Sequence, residues 1–408
     1  MELKAYFWSF APMAKRHHKE DPYFHHNKVQ FIHNGPAYFA AVYKLLDETK
    51  EEIHFQTYIF EEDETGNQMA DALIRTAHRG VKIDLLVDAF GSKGLSEDTI
   101  SRIKQAGIRM RKFGPLLSKG KIHIGRRLHQ KILISDRHKA IIAGVNVSNN
   151  YSGIKERAPW LDFGVLVEGN VVPSLVKISL RVWLGFGIKR LLRRAEKSRT
   201  VADTSDKSFQ VRVRPLENDG LRGKYQCSTS YLQLINSATD SIDIVGGYFL
   251  PGGRARRALR KAIHRGVRIR VILAAKSDVG LMHRGIQYLY AWLLRNRIEI
   301  YEYQPSNVHG KILVADGKVV SVGSYDLNNL STYSNIELNM EVDNREFAME
   351  VKQELENVIR LKCHVVTMTE LESRFSIWQR FRLWYSYRVL KVMFVLAVWL
   401  ATKENEQL

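Results

Sequence analysis

Hydrophobic positions in this 408-residue chain come in short aliphatic runs that return, in the same order, a second time. In the first pass Ile53 to Phe60 (I-H-F-Q-T-Y-I-F) reads as a strand. A helical stretch follows and stops at His78-Arg79-Gly80-Val81, and Lys82 to Val87 is strand-like again. In the second pass the strand is Ile242 to Phe249 (I-D-I-V-G-G-Y-F), the helix Arg254 to Ile263, its stop His264-Arg265-Gly266-Val267 and the next strand Arg268 to Leu273. Glycine just past a helix is the expected stop, because it takes the left-handed conformation without a Cβ penalty. Strand, helix, strand, helix and a terminal hairpin make an α/β unit, and a chain of this length can enclose two cores. The pattern predicts an N-terminal extension at 1–27, two units at 28–200 and 201–365, and a tail at 366–408. The polar stretch Ala195 to Ser208 reads as the linker.

Late in each unit stands the pattern H-x-K-x4-D, as H-Q-K-I-L-I-S-D from His129 to Asp136 and H-G-K-I-L-V-A-D from His309 to Asp316. A small-residue turn follows each at matching distance, A-G-V-N (Ala143 to Asn146) and G-S-Y-D (Gly323 to Asp326). The aliphatic, mostly β-branched Ile132 to Ile134 and Ile312 to Val314 predict strands. Positions two apart share a strand face, so His129 points with Lys131 and His309 with Lys311. Asp316-Gly317 is a hairpin-turn signal and Asp136 sits at the equivalent turn, which reads these aspartates as scaffold. Two histidines and two lysines in duplicated settings predict one anionic group held between the halves.

The paired motifs resemble the HKD signature of the phospholipase D superfamily, and the resemblance runs over nearly the whole chain after about residue 28. Within that superfamily the chain is most similar to bacterial cardiolipin synthases of the short type, which lack N-terminal spanning helices. Gln56-Thr57-Tyr58-Ile59-Phe60, A-G-V-N-x4-Y to Tyr151, Trp160 to Gly169 (W-L-D-F-G-V-L-V-E-G) and Tyr248-Phe249-Leu250-Pro251 carry the likeness. It implies two tandem α/β sandwich domains related by an internal repeat, with the active site between them. The motif residues His129, Lys131, Asp136, His309, Lys311 and Asp316 would be catalytic, with His129 as nucleophile and His309 as acid/base. No metal and no cofactor is implied. Members often carry glycine where Ala143 stands and asparagine where Asp326 stands.

The residue types suit that chemistry. A phosphodiester repels nucleophiles, so a site for it needs cationic donors around the oxygens; Lys131 and Lys311 supply these, with Asn146 as a neutral donor. Imidazole is a nucleophile when neutral and an acid when protonated, and two of them on one phosphate can divide the work. A nucleophilic histidine needs its other ring nitrogen held by an acceptor. Asp162 in W-L-D-F and Glu337 in N-I-E-L-N are acids within apolar strand patterns, where a carboxylate is costly unless paired. They are read as the orienting groups, and Ser324 in the second turn joins the supporting set.

The formal charge of +19 and a pI near 9.7 point to an anionic partner surface, nucleic acid or lipid. Basic residues concentrate in Lys119 to Arg127, Lys189 to Arg199 and Arg254 to Arg270. The superfamily includes nucleases, so charge leaves both partners open; the apolar distribution favours lipid. Leu180 to Leu192 mixes Trp183, Phe186 and leucines with basic residues, the make-up of a helix on an anionic membrane, although its first part also fits a core helix. Phe375 to Thr402 is rich in Trp, Tyr and Phe, and ends in an uninterrupted apolar run, Val392 to Ala401. That run is shorter than the roughly 20 apolar residues a span takes, so the tail reads as an interfacial anchor. Met1 to Pro12 is no secretory signal, and two cysteines in no redox motif fit a reducing compartment. The expectation is a phosphatidyltransferase on the cytoplasmic face of the cell membrane, peripheral or monotopic, acting on phosphatidylglycerol and not on nucleic acid. A phospholipase D with water as acceptor, and a nuclease using the basic face, are the alternatives.

Overall fold

The first pass of the pattern becomes β1 (Phe24–Ile32), β2 (Glu52–Thr57), β3 (Lys82–Asp88), β4 (Arg109–Phe113), β5 (Lys131–Ser135), β6 (Lys139–Ala143) and β7 (Gly164–Gly169). Between them lie α1 (Gly35–Glu48), α2 (Glu64–His78) and α3 (Glu97–Gln105), and α4 (Val172–Trp183) closes the unit. The second pass gives β8 (Val211–Asp219), β9 (Ser241–Gly246), β10 (Arg268–Ala274), β11 (Glu299–Tyr303), β12 (Lys311–Ala315), β13 (Val319–Gly323) and β14 (Ile336–Asp343). Its helices are α5 (Gln226–Ser237), α6 (Gly253–His264), α7 (Gly280–Arg295) and α8 (Arg345–Lys362), followed by β15 (Cys363–Val366), α9 (Met368–Arg374) and α10 (Ile377–Glu406). The computed structural model describes residues 22–114, 117–118, 121–122, 126–154, 158–185 and 209–406. The expected linker, the basic run Lys189 to Arg199 and the end of the Leu180 to Leu192 segment lie outside them. The first part of that segment is a core helix end, with Val182 and Trp183 buried beside Leu86, Leu128 and Ile336.

Among the described residues these strands form one sixteen-stranded sheet, in the order β4-β3-β2-β5-β6-β7-β1-β8-β14-β13-β12-β9-β10-β11-β15, with Lys224–Tyr225 pairing off this path. The order reads the same outward from the β1–β8 seam in both directions until β15 is added. At the seam β1 and β8 run antiparallel, with Phe24 opposite Val213 and Asn27 opposite Val211. Each unit alone would leave that edge strand with unpaired amide groups, and joining them removes both edges. Two α/β units are thus present as expected, but their sheets are continuous rather than merely adjacent.

One face of the sheet carries a core shared by both halves, in which Phe31, Ile132, Val165 and Val176 join Val245, Ile312, Phe347 and Leu355. The other face is divided. Leu45, Leu73 and Ile103 of α1 to α3 make one core there, and α5 to α7 make another that takes in Leu390 and Phe394 of α10. The helix stops behave as read, since Gly80 and Gly266 sit at φ 91° and 88°.

The tail departs from the expectation. Its helix is continuous from Ile377, and Ile377–Leu400 is long and apolar enough to cross a membrane by length and composition. The uninterrupted apolar run is shorter than this helix because Arg380, Arg382, Arg388 and Lys391 stand on exposed positions between apolar ones. One face is also docked on α7. A Cβ on Gly285 would lie 2.4 Å from Leu390 Cδ1, so the glycine makes room for the leucine. Tyr387 stacks on Tyr288 at 4.8 Å, and Arg284 Nε donates to Ser386 Oγ at 3.1 Å. Leu383, Leu390, Phe394 and Val398 are buried, while Ile377, Trp378, Phe381, Tyr385, Val392 and Leu396 are exposed.

Candidate active site

Each motif histidine precedes its strand and is held by backbone from the opposite half. His129 N–H donates to Ile336 O at 2.9 Å, and Ile336 N–H returns a bond to Arg127 O at 2.9 Å. The mirror pair is His309 N–H to Leu161 O at 2.8 Å and Leu161 N–H to Asn307 O at 2.9 Å. The next residue after each of these partners is an acid, and that places the carboxylates. Glu337 Oε2 lies 2.8 Å from His129 Nδ1, and Asp162 Oδ2 lies 2.7 Å from His309 Nδ1. Each acid therefore meets the histidine of the other repeat. With Nδ1 engaged, Nε2 is the ring nitrogen left for chemistry. The two imidazole centroids stand 6.4 Å apart and both line one cavity.

Lys131 and Lys311 are fully buried beneath this pair, and their ammonium groups donate to the carbonyls of His129 (2.7 Å) and His309. Tyr58 lies 5.4 Å from the Lys131 ammonium and Tyr248 5.9 Å from that of Lys311. Burial, with the Lys311 charge, brings the Lys131 ammonium down to about 7. Burial also lowers both imidazoles, His309 the further, with the two lysine charges adding to the effect. Burial lifts Asp162 to about 7 against the opposing pull of Lys311. For Glu337 burial acts upward, but the facing His129 and Lys131 outweigh it and hold the carboxyl below its ordinary value. The Lys311 charge disfavours a charged Lys131 beside it, and an anion such as a phosphodiester held next to the two would offset that repulsion.

The turn residues complete the floor. Asn146 Oδ1 accepts from Ile59 N–H at 3.1 Å and its amide donates to Tyr151 Oη at 2.9 Å. Asp326 holds the equivalent place, accepting from Tyr248 N–H at 3.1 Å, and its other oxygen lies 3.6 Å from Lys311 Nζ. Ser324 Oγ donates to Glu337 Oε2 at 2.6 Å, so it acts on the histidine's acid. In the first half Gly144 stands there, and a Cβ on it would come within 2.2 Å of Asp162 Oδ1. Because Asp326 neutralises Lys311 while keeping the backbone contact, Asp326→Asn is expected to leave turnover intact or raise it. Steady-state rates test this, and a loss beyond about tenfold, roughly 1.4 kcal/mol of barrier, would give the acid a positive role.

Asp136 and Asp316 do not join the group. They follow the far ends of β5 and β12, about 16 Å along the strand from the motif lysines at roughly 3.3 Å per residue. Asp136 accepts from the N–H groups of Lys50, Glu51 and Glu52, and Asp316 from those of Thr239, Asp240 and Ser241. Both sit at positive φ, 46° and 53°, as the hairpin turns require. They tie each motif hairpin to the start of β2 or β9. Burial acts upward on Asp316, but the Asp240, Thr239 and Ser241 amides outweigh it and hold the carboxyl below its ordinary 3.8. Its stabilising contribution is therefore present above that pH and lost as pH falls through the depressed value.

Aromatic residues from the segments that carry the family likeness surround the two histidines. Tyr151 and Trp160 lie 5.4 and 6.2 Å from His309, and Tyr58 lies 5.0 Å from His129. Arg127, read as part of a basic surface run, is buried, with Asp88 3.7 Å away. Its neighbour Arg126 pairs with Asp219. Asp88 also accepts from Leu128 N–H at 2.9 Å, which fixes the approach to His129. In the other half the Asn307 side-chain amide donates to Asp278 Oδ1 at 2.9 Å, two residues before His309.

The family described as cardiolipin synthase, phospholipase D-like domain, matches residues 42–156 and 231–359, one stretch around each motif. The chain belongs to this phospholipase D-like family. It is similar to cardiolipin synthase B of Shigella flexneri, 31% identical over 85% of this chain and 84% of that protein. A probable cardiolipin synthase of Bacillus subtilis is 30% identical over 77% of this chain and 62% of that one. The solved phosphatidylserine synthase of Haemophilus influenzae Rd KW20 superposes with a TM-score of 0.72 at 14% identity, covering 92% of this chain and 96% of that one. This last likeness is one of fold. The expectation of a phospholipase D-superfamily phosphatidyltransferase of the cardiolipin synthase type is met by these matches.

Proposed function

We propose that this enzyme joins two molecules of phosphatidylglycerol into cardiolipin and glycerol. The observation that carries the reading is the crossed pair, His129 with Glu337 and His309 with Asp162, facing one cavity. A bound phosphodiester brings the negative charge that favours a protonated imidazole, so His309 is charged in the complex. His129 Nε2 attacks phosphorus while His309 gives its proton to the departing glycerol oxygen, leaving a phosphatidyl group on His129. His309, now neutral, takes the proton from a glycerol hydroxyl of the second phosphatidylglycerol as that oxygen attacks phosphorus and frees His129. The assignment of His129 as nucleophile follows the resemblance. Lys131 and Lys311 offset the charge on the non-bridging oxygens, and Glu337 and Asp162 keep each Nε2 aimed. Atoms balance, since one phosphodiester bond is broken and one is formed. Water in place of the second lipid gives phosphatidic acid, the phospholipase D outcome.

Attachment to an anionic bilayer, peripheral or monotopic on its cytoplasmic face, is part of the proposal. The outward side of α10 is apolar, and α6 presents exposed Arg257, Arg260 and Lys261. Arg268 and Arg270, from the same basic run, are instead paired with Glu299 and Asp243. The nuclease alternative lacks aromatics interleaved with the basic helix face, which single-strand binding uses. Purified enzyme given labelled phosphatidylglycerol vesicles should yield cardiolipin and free glycerol in equal amounts. Phosphatidic acid as the main product, or no lipid product, refutes the synthase reading.

A further inference from the structure

We infer that α10 forms part of the substrate site itself, with Met393 and Ala397 walling a channel for an acyl chain of the phospholipid. This rests on the proposed phosphatidyl transfer, which puts the lipid phosphate between His129 and His309. The cavity that holds those histidines has a volume of about 1190 Å³. That is beyond the roughly 300–1,000 Å³ usual for a small-molecule ligand, and a glycerophosphate group needs only the part beside the lysines. The remaining wall includes Val279 and Met282 from the start of α7, Leu330, and Met393 and Ala397 of α10. An apolar lining continuous with the phosphate position fits the apolar part of the same molecule.

The helix is patterned for that position. Residues four apart share a helix face, and α10 carries three such rows. Leu390, Phe394 and Val398 are buried in the second half. Met393 and Ala397 line the cavity. Val392, Leu396 and Leu400 are exposed. The cavity row lies between the docked row and the exposed row, so an apolar path runs from the histidines around the helix to the face that would meet the bilayer. The docking is specific enough to hold a wall in place, through the Gly285–Leu390 fit and the Tyr288–Tyr387 stack. A chain leaving the bilayer along this path stays in apolar surroundings while its phosphate reaches Lys131 and Lys311. On this account α10 selects for long-chain lipid, which a simple anchor or a face covered by a second copy of the chain does not do.

The test uses the full-length enzyme and the ratio of kcat/KM for dioleoyl phosphatidylglycerol in mixed micelles to that for monomeric dihexanoyl phosphatidylglycerol. Ala397→Trp fills the wall and Met393→Glu puts a charge in it; each is expected to lower the ratio at least about tenfold, a loss that burial of a few methylenes accounts for. Met349→Trp and Met349→Glu make the same changes at an equally exposed methionine of α8, on the other face of the sheet, and should leave the ratio at the wild-type value. Met393 is half exposed, so its variant keeps the test in hand if thermal melting shows Ala397→Trp to be unfolded. An unchanged ratio in the wall variants, an equal fall in the Met349 controls, or an equal fall in Val392→Glu, which charges only the bilayer face, overturns the channel. Wild-type enzyme inert on both lipids overturns the transfer reading, and the channel with it.

Discussion

Alanine in place of either His129 or His309 is expected to remove turnover of phosphatidylglycerol, by at least about 10³-fold, because one substitution takes away the nucleophile and the other the acid/base. Neither loss can be covered by a neighbour, since each ring is oriented by its own acid, at 2.8 and 2.7 Å. The two variants should nevertheless differ. In His309→Ala, His129 keeps Glu337 and can still attack, so a substrate whose leaving group needs no protonation should load the enzyme and stall it. Labelled phosphatidyl then accumulates on His129, stable to base and released by acid. In His129→Ala nothing accumulates. Accumulation in the opposite variant would exchange the two roles, and near-wild-type turnover in either would refute a site shared by the two halves.

Removing Phe375 to Leu408 is expected to unfold or aggregate the protein rather than release a soluble enzyme. Leu383, Leu390, Phe394 and Val398 are each under 9% exposed, and burying a large apolar side chain is worth about 1.5–3 kcal/mol. Four of them approach the 5–15 kcal/mol that usually separates a folded domain from its unfolded state. Deletion also uncovers the partners of Leu390 and Phe394 in the core of the second half. Size-exclusion chromatography and thermal melting of the truncated chain check this. A monomer with the Tm of the full-length protein would make α10 a detachable anchor. From the bare sequence the tail reads as such an anchor, which would leave a folded, soluble enzyme behind; the structure reverses that expectation.

What the sequence makes legible here is what lies within a few residues. The H-x-K spacing puts a histidine and a lysine on one side of a strand, and the duplicated order of strands and helices sets the fold class. Asp162 and Glu337 stand out because a carboxylate in an apolar strand needs a partner. That each one's partner is in the other repeat depends on the Leu128–Ile336 and Leu161–Val308 bridges between segments some 150 to 200 positions apart, and no local pattern encodes it. The space at Gly285 that receives Leu390 is hidden for the same reason. Tyr58, Tyr151 and Trp160 stand in segments that carry the family likeness, but their place around His129 and His309 is set by the fold. Asp136 and Asp316 show the converse error. Belonging to a motif suggests chemistry, whereas their turn position, also visible in the sequence, already indicates the scaffold.

The crossed partnership of acids and histidines has a consequence for how such a site can change. Two identical subunits related by a twofold axis would show every substitution twice, because both copies share one gene and the interface is self-complementary. Here both copies lie in one chain, joined along β1 and β8, and a substitution falls on one side only. The two sides differ: Gly144 and Asp162 serve His309, Ser324 and Glu337 serve His129, and Asn146 stands where the other half has Asp326. Carried in one chain, the two imidazoles can be set to different proton affinities. A reaction that asks one of them to be a nucleophile and the other an acid is served by that freedom.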